Sequence, residues 1–184
     1  MTCVVGLVDR GAVWIGADSA GVAGYELTVL ADQKVFVRGP FLMGYTTSFR
    51  MGQLLEHSLE VPRHPADQDD REYMTTALVD AIRKCLKGGG WAEEDKKREE
   101  GGCFLVGYRG RLFVVQGDYS VLEAADGLNA VGCGAQIAVG ALHATRGRSA
   151  RRRVEIALEA AERWSSGVRR PFVIKKLDKV DRAC

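Results

Sequence analysis

The chain has 184 residues, of which 46% are hydrophobic and 27% are charged. This length and composition are typical of one compact domain with its own core, so we expect a single domain over residues 1–184. The net charge of +2 gives no broad positive field, and no run of ~18 apolar residues occurs. The sequence therefore predicts no nucleic-acid partner and no membrane span.

The first residues lack a positively charged stretch followed by an apolar one, so we expect no secretion signal and a cytoplasmic protein. The five cysteines are scattered without a CxxC or Cys/His spacing, and the three histidines form no ligand pattern. This pattern predicts reduced cysteines and no bound metal.

The chain begins with strand-forming sequence. Residues 2–8 form an apolar run rich in valine, residues 9–11 have turn chemistry, and residues 12–17 form a second apolar run that ends at Asp18. A hairpin of these two strands places Thr2 and Asp18 at the same end. A third strand over 34–37 begins at Lys34, and a fourth covers 41–45. The ends of three strands are therefore expected to converge.

Helices are predicted in the middle of the chain. Residues 51–59 have helical spacing, and a second helix starts near residues 67–70 with Met74, Leu78, Ile82 and Cys85 on one face. That apolar face indicates a core contact and not a cofactor site. Residues 88–102 are glycine-flanked and heavily charged, which predicts a flexible exposed loop.

Strands resume over 103–108 and 111–115, and two short ones flank residues 126–127. Two helices, a closing strand at 172–174 and a tail over 178–184 complete the chain. The order of strands, two helices, strands, two helices and a last strand predicts an α+β fold with two antiparallel sheets between helical layers.

Thr2, Asp18 and Lys34 together predict a nucleophile site. A threonine hydroxyl needs a base, and removal of Met1 would free the α-amine of Thr2 to serve as one. Such an amine titrates near ~8, so part of it is unprotonated at neutral pH. Lys34 would lower the pKa of the hydroxyl, and Asp18 would hold Lys34. Taken singly, each residue is more commonly a strand start, a turn carboxylate or a surface lysine.

Four stretches resemble proteasome β-subunits and their bacterial HslV-like relatives. The opening Met-Thr, residues 14–19, residues 32–35 and residues 44–48 match that family, in which threonine, aspartate and lysine occupy the positions of Thr2, Asp18 and Lys34. Residues 130–142 resemble the family's Gly-Ser-Gly turn running into an alanine-rich helix. The resemblance covers most of the chain and is weakest in its middle.

The resemblance implies a four-layer α-β-β-α sandwich of the Ntn-hydrolase superfamily and a threonine peptidase that degrades polypeptides through an ester on Thr2. It implies an oxyanion hole made by the Thr47 amide, helped by that of Ser48, and a substrate pocket near residues 21–50 with Val22, Leu27 and Thr46 as candidates. No cofactor is required. Relatives form stacked double rings beside an ATP-driven unfoldase, so a homo-oligomeric ring and such a partner are implied.

Three positions depart from the family. The family serine near the threonine is Cys133 here, and a thiol is the weaker hydrogen-bond partner. The family glycine of the oxyanion hole is Thr47, whose backbone N–H can still serve. The aspartate at the end of the last long helix is missing, because residues 162–165 read Glu-Arg-Trp-Ser. We still count Cys133 among the catalytic candidates.

Other interpretations stay open at this point. The chain could be a ring protein that keeps the fold and has lost activity, as the missing aspartate permits, or an Ntn amidase acting on small amides. A further alternative makes Cys133 the nucleophile with His143 as its base.

Overall fold

The computed structural model describes residues 1–91, 93–95 and 98–179. In this part of the chain the strands are β1 (Cys3–Asp9), β2 (Ala12–Ala17), β3 (Ala20–Ala23), β4 (Glu26–Val29), β5 (Val35–Arg38), β6 (Phe41–Tyr45), β7 (Glu93–Asp95), β8 (Arg98–Glu100), β9 (Phe104–Tyr108), β10 (Arg111–Val115), β11 (Val121–Glu123), β12 (Leu128–Gly132) and β13 (Val173–Leu177). The α-helices are α1 (Phe49–His57), α2 (Asp70–Tyr73), α3 (Val79–Gly88), α4 (Ala135–Ala144) and α5 (Ala150–Trp164), and the π-helical turn Met74–Leu78 joins α2 to α3.

Two larger antiparallel sheets organise the chain. The first has the strand order β12-β1-β2-β13 and the second has the order β11-β10-β9-β6-β5. In the first sheet Val4 lies opposite Ala17, and Cys3 lies opposite Gly132. The prediction of a mixed helical and antiparallel-sheet fold is confirmed, and so is the predicted pairing of the first two strands.

Strand β1 is buried on both faces, which explains its continuous apolar sequence. Val4 packs with Ile15, Leu42 and Leu105 in a cluster that joins the two sheets. Cys3, Val5 and Leu7 point the other way, into a second cluster with residues of α4 and α5. This alternation is the period of two expected for a strand, with a separate core on each side.

The helix formed by α2, the π-helical turn and α3 packs on the second sheet. Met74, Leu78 and Ile82 are fully buried with strand residues such as Phe104, and Cys85 packs against the same cluster. The predicted apolar stripe is therefore confirmed as core. Among the helices described, none combines the length and the hydropathy that crossing a bilayer requires.

Two hairpins were absent from the prediction. The first is β3–β4, which turns at Gly24 with φ +59 and carries Tyr25 fully exposed at its tip. Strand β4 is exposed throughout, so its sequence carries no burial pattern. The second is β7–β8, inside the segment 88–102 predicted as a flexible loop; residues 92, 96 and 97 of that segment lie outside the described residues. Residues 180–184 of the predicted tail lie outside them too.

Candidate active site

Thr2 and Asp18 lie at one end of the first sheet. Thr2 immediately precedes β1, and Asp18 immediately follows β2, which pairs antiparallel with β1. The Asp18 N–H donates to the Cys3 carbonyl at 3.3 Å and so closes this end of the hairpin. Both side chains are buried, with Thr2 6% and Asp18 1% exposed.

Lys34 reaches the same point from the second sheet. It immediately precedes β5, at the edge of the five-stranded sheet, and is 1% exposed. Its Nζ donates to Thr2 Oγ1 at 3.0 Å, to Asp18 Oδ1 at 3.0 Å and to the Ala20 carbonyl at 2.7 Å. An ammonium group has three N–H donors, so these three acceptors account for all of them.

The Asp18 carboxylate ties several backbone segments together. Its Oδ1 accepts from the Cys3 N–H at 3.0 Å, in addition to Lys34. Its Oδ2 accepts from the Ala20 N–H at 2.8 Å and from the Arg169 N–H at 3.3 Å. A buried carboxylate needs such donors to offset the loss of hydration. Asp18 therefore fixes the position of Lys34 and of the chain on either side of it.

Two opposing effects act on the pKa of Lys34, and burial is the larger of them. Burial lowers the pKa of Lys34 below its ordinary value, whereas the charge and hydrogen bond of Asp18 act to raise it. As an ammonium, Lys34 donates to Thr2 Oγ1 and so cannot also take the hydroxyl proton. Its charge instead favours the alkoxide form of Thr2.

In the full sequence Met1 precedes Thr2, so the nitrogen of Thr2 is an amide as long as Met1 is present. The Thr2 hydroxyl donates to the Met1 carbonyl at 2.6 Å while it accepts from Lys34. The Met1 side chain lies against Gly167 and is 57% exposed. Cleavage of the Met1–Thr2 bond would leave a free amine within the same residue as the hydroxyl.

The turn between β12 and α4 touches the backbone of Thr2. Gly132 has φ +97, and a Cβ at this position would overlap the Thr2 carbonyl oxygen, so only glycine fits. The Cys133 thiol donates to that same carbonyl at 3.4 Å. The structure thus brings Cys133 beside Thr2.

Ser165 is a member of this site that the sequence analysis did not identify. Its hydroxyl donates to Cys133 Sγ at 3.3 Å, and it directly follows α5. The sequence carried a signal for this position, because residues 162–165 stand where the family aspartate is expected. A hydroxyl there continues the polar contacts from the helix end through Cys133 to Thr2.

The segment Thr46–Ser48 lies next to Lys34. The Tyr45 N–H donates to the Lys34 carbonyl at 3.0 Å, and Thr46 to Ser48 follow directly. Thr47 has φ +69, a left-handed conformation that favours glycine. Its N–H contacts Thr46 Oγ1 at 2.5 Å, whereas the Ser48 N–H donates to the Thr46 carbonyl at 2.8 Å. The Ser48 side chain caps α1.

A cavity of about 790 Å³ opens between the β3–β4 hairpin and α1. Of the three substrate-binding candidates, Val22 lines it, whereas Leu27 and Thr46 do not. Leu27 lies opposite Val22 in the hairpin. The cavity also contains three acidic side chains that the sequence analysis did not single out, namely Glu26, Asp32 and Glu56.

The Cys133–His143 alternative has no geometric support. Cys133 precedes α4 and His143 lies in its last turn. Since a helix rises ~1.5 Å per residue, a separation of roughly 15 Å keeps the two side chains apart. Within residues 1–91, 93–95 and 98–179, no group of three or more His, Cys, Asp or Glu side chains could hold a metal ion.

Comparison with known proteins identifies the fold through solved structures and not through sequence. No protein-family model matches the sequence, and no curated protein does. Among solved structures, Thiobacillus denitrificans BPH, a bacterial proteasome homologue, matches with a TM-score of 0.79 and 19% identity over 97% of this chain and 99% of its own. The chain has the fold of a proteasome homologue.

Two more structures agree with this assignment of the proteasome-type fold. BPH in complex with epoxomicin gives a TM-score of 0.81 at 17% identity, over 98% of this chain and 100% of the other. The eukaryotic HslV from Trypanosoma brucei gives 0.70 at 17% identity, over 96% and 99%. The resemblance to proteasome and HslV proteins predicted from the sequence is therefore confirmed at the level of the fold.

Proposed function

We propose that this chain is the peptidase subunit of a proteasome-type threonine protease with Thr2 as nucleophile. The observation that carries the proposal is the buried group of Thr2, Lys34 and Asp18, in which Lys34 donates to the Thr2 hydroxyl and is held by Asp18. The shared fold supports it, and one of the similar structures is a complex with epoxomicin. We further propose that the helices and sheets form the four-layer α-β-β-α sandwich of Ntn hydrolases.

The first chemical step is attack of Thr2 Oγ on the scissile carbonyl carbon after Met1 has been removed. The Thr2 amine takes the hydroxyl proton, directly or through a water, and Lys34 favours the developing alkoxide. The carbonyl oxygen becomes an oxyanion, for which the Thr47 N–H is the proposed donor. The Ser48 N–H is the assisting donor. The Thr47 N–H contacts Thr46 Oγ1 and the Ser48 N–H donates to the Thr46 carbonyl, so each has to exchange that partner for the oxyanion.

The tetrahedral intermediate then collapses. Its C–N bond breaks, the leaving amine takes the proton from the Thr2 ammonium, and the acyl group stays on Thr2 as an ester. Water attacks this ester and the Thr2 amine takes a proton from the water. The Thr2 ammonium returns that proton to Thr2 Oγ as the C–O bond breaks, and the acyl group leaves as a carboxylic acid. The residues of the chain supply every proton transfer, and no cofactor enters.

We also propose that the subunit works in a homo-oligomeric, stacked double ring that encloses the active sites and receives polypeptides from an ATP-dependent unfoldase. This part of the proposal rests on the fold shared with BPH and HslV. Light scattering coupled to size-exclusion chromatography tests it: a mass of many subunits is expected, and a stable monomer contradicts the ring.

The activity is tested with protein whose first residue is Thr2, shown by intact mass. We expect hydrolysis of fluorogenic peptides and a covalent adduct with epoxomicin that maps to Thr2. In Thr2→Ala both should disappear, with peptide hydrolysis reduced about 10³-fold or more. Thr2→Ser is the matched control that keeps the hydroxyl and the amine, and it should retain activity. Turnover of a simple amide without peptide hydrolysis would favour an amidase, and absence of both an adduct and hydrolysis would contradict the proposal.

A further inference from the structure

We propose that the cavity between the β3–β4 hairpin and α1 selects a cationic side chain, lysine or arginine, on the residue whose carbonyl is attacked. The inference rests on the proposed function, because it names the substrate class of the same site. It is carried by the closeness of one cavity wall, Phe49, to the Lys34 ammonium and by the acidic side chains that line the cavity.

One wall of the cavity lies close to Lys34, which donates to the hydroxyl of the proposed nucleophile. Phe49 lines the cavity, and its ring centroid lies 5.9 Å from Lys34 Nζ. Asp32 also lines it and stands two residues before Lys34. A volume of about 790 Å³ is ample for one long side chain. In the proposal this cavity receives the side chain of the residue whose carbonyl lies at Thr2 Oγ1.

The charges in the cavity are mostly negative. Glu26, Asp32 and Glu56 contribute three carboxylates, and Arg50 contributes one guanidinium, which leaves a net charge of −2 when the His57 imidazole is neutral. The described residues provide no ion pair for Glu26 or Asp32. The neighbour of Glu56 is the His57 imidazole at 3.6 Å. These carboxylates are available to a ligand.

Each of the two positive charges nearby has a hydrogen-bond partner. Arg50 Nη2 donates to the Gly89 carbonyl at 3.3 Å, and Lys34 is fully buried against Asp18. A cationic ligand therefore meets more free negative charge than positive charge. A ligand with a carboxylate meets charge of the same sign, and this repulsion opposes its binding.

The walls of the cavity suit the aliphatic part of a lysine or arginine side chain. Tyr45 and Phe49 line it and contact each other edge to face, with ring centroids 6.3 Å apart. Long cationic side chains pack their methylene groups on such surfaces and keep the charged end toward carboxylates or aromatic faces. Burial, followed by the charges of Asp32 and Glu56, raises the pKa of Tyr45 to about 12, so both carboxylates act on this wall.

Two peptide substrates that differ only in arginine or citrulline before the scissile bond test the charge preference at nearly constant shape. We expect kcat/KM for the arginine peptide to exceed that for the citrulline peptide about tenfold, and a glutamate peptide to be the poorest substrate. Asp32→Asn and Glu56→Gln should each lower the arginine-to-citrulline ratio about threefold. Glu60→Gln is the matched control, because Glu60 does not line this cavity, and it should leave the ratio unchanged.

Salt gives a second measurement that requires no substitution. About 1 M salt shortens the Debye length to about 3 Å, so the ratio should fall toward one if exposed carboxylates cause it. A citrulline peptide cleaved as well as the arginine peptide overturns the charge preference while the peptidase assignment stands. A ratio that is unchanged in both cavity variants and in salt overturns it as well.

Binding to Thr2→Ala separates the two proposals, because it requires no cleavage. Titration of this variant with the same two peptides, followed by calorimetry, should give tighter binding of the arginine peptide by about tenfold. If the Thr2 form cleaves neither peptide, the peptidase proposal fails, yet the binding ratio still reports on the cavity. Equal affinities of the two peptides overturn the cavity proposal by themselves.

Discussion

Lys34 donates a hydrogen bond to Thr2 across the boundary between the two sheets. The Lys34 Nζ to Thr2 Oγ1 distance is 3.0 Å, yet Thr2 precedes a strand of the four-stranded sheet and Lys34 precedes a strand of the five-stranded sheet. The pair is therefore positioned by the packing of the sheets on each other, through residues such as Val4, Ile15 and Val35. A change that separates the sheets would weaken the site before it unfolds the chain.

Removal of the Lys34 charge should abolish catalysis at a moderate cost in stability. In Lys34→Met the Asp18 carboxylate keeps its three backbone donors, the N–H groups of Cys3, Ala20 and Arg169. We expect the free energy of unfolding to fall by less than about 3 kcal/mol and kcat to fall about 10³-fold. Urea denaturation and a peptide assay measure the two effects. Retention of more than a tenth of kcat would contradict the role of the Lys34 charge.

The pH dependence of stability should also carry the signature of Lys34. Burial lowers the pKa of Lys34, so just below its ordinary value of 10.5 the unfolded chain binds more protons at this group than the folded protein does. Stability contributed through Lys34 therefore rises as the pH rises through that window. Subtracting the urea unfolding free energies of Lys34→Met from those of the wild type should give a difference that increases toward pH 10.5. A flat difference would contradict the lowered pKa.

Loss of the Asp18 charge should be more destabilising than loss of the Lys34 charge. Asp18→Asn keeps the size of the side chain, but its amide group faces backbone N–H donors, and Lys34 is left buried without a counter-charge. We expect the free energy of unfolding to fall by about 3–5 kcal/mol. Asp80→Asn, in the exposed Arg83–Asp80 pair, is the matched control and should change it by less than about 1 kcal/mol. Equal effects of the two substitutions would exclude the role assigned to Asp18.

Thr2, Asp18 and Lys34 could be predicted because each stands at the end of an apolar run in the sequence. The hairpin β3–β4 could not be predicted in the same way. Strand β4 is exposed throughout and packs on no core, so no alternation of apolar and polar residues marks it. The acidic cavity depends on that hairpin, and its charges come from three separate segments. The sequence therefore predicts the meeting of Thr2, Asp18 and Lys34 better than it predicts the acidic cavity.

The role of Ser165 could be predicted only in part. Its position at the end of a long helix is visible from the pattern, but its contact with Cys133 depends on how that helix packs against the turn after β12. The family has an aspartate at this helix end, and the sequence already shows that it is missing here, because residues 162–165 read Glu-Arg-Trp-Ser. Both groups are visible in the sequence, but the contact between the Ser165 hydroxyl and the Cys133 thiol does not follow from composition or spacing.

Ser165 should act as a positioning residue for Thr2. In Ser165→Ala the Cys133 thiol loses a partner, so we expect kcat to fall on the order of tenfold with KM nearly unchanged. Ser165→Thr restores the hydroxyl and should recover most of kcat. Cys133→Ser, with a stronger hydrogen-bonding group, should retain kcat. Steady-state kinetics on protein that begins with Thr2 measure these effects, and a change confined to KM would contradict a role in positioning the nucleophile.

Met1 should be removed before the chain folds. In the folded protein Thr2 is 6% exposed, Cys3 is fully buried and the Thr2 hydroxyl is bonded to the Met1 carbonyl, so an aminopeptidase cannot bind an extended N-terminus. A methionine aminopeptidase should leave folded protein intact and remove methionine from a peptide of residues 1–10. Intact mass measures both reactions. Rapid removal from the folded protein would show that this end of β1 opens readily.

Gly132 should be required for the geometry of Thr2. Because a Cβ there overlaps the Thr2 carbonyl oxygen and φ is +97, Gly132→Ala has to displace either β1 or the turn. We expect a loss of about 1–3 kcal/mol in the free energy of unfolding, together with loss of activity. Gly140→Ala is the matched control, since Gly140 lies within α4 and a Cβ there meets no atom within 4 Å. That substitution should stabilise the protein by about 0.5–1 kcal/mol through helix propensity. It should leave activity unchanged, because the added methyl group displaces no neighbouring atom. A Gly132→Ala protein with wild-type kcat would mean that the Thr2 backbone tolerates the displacement, and the contact between the turn and Thr2 would then have no part in catalysis.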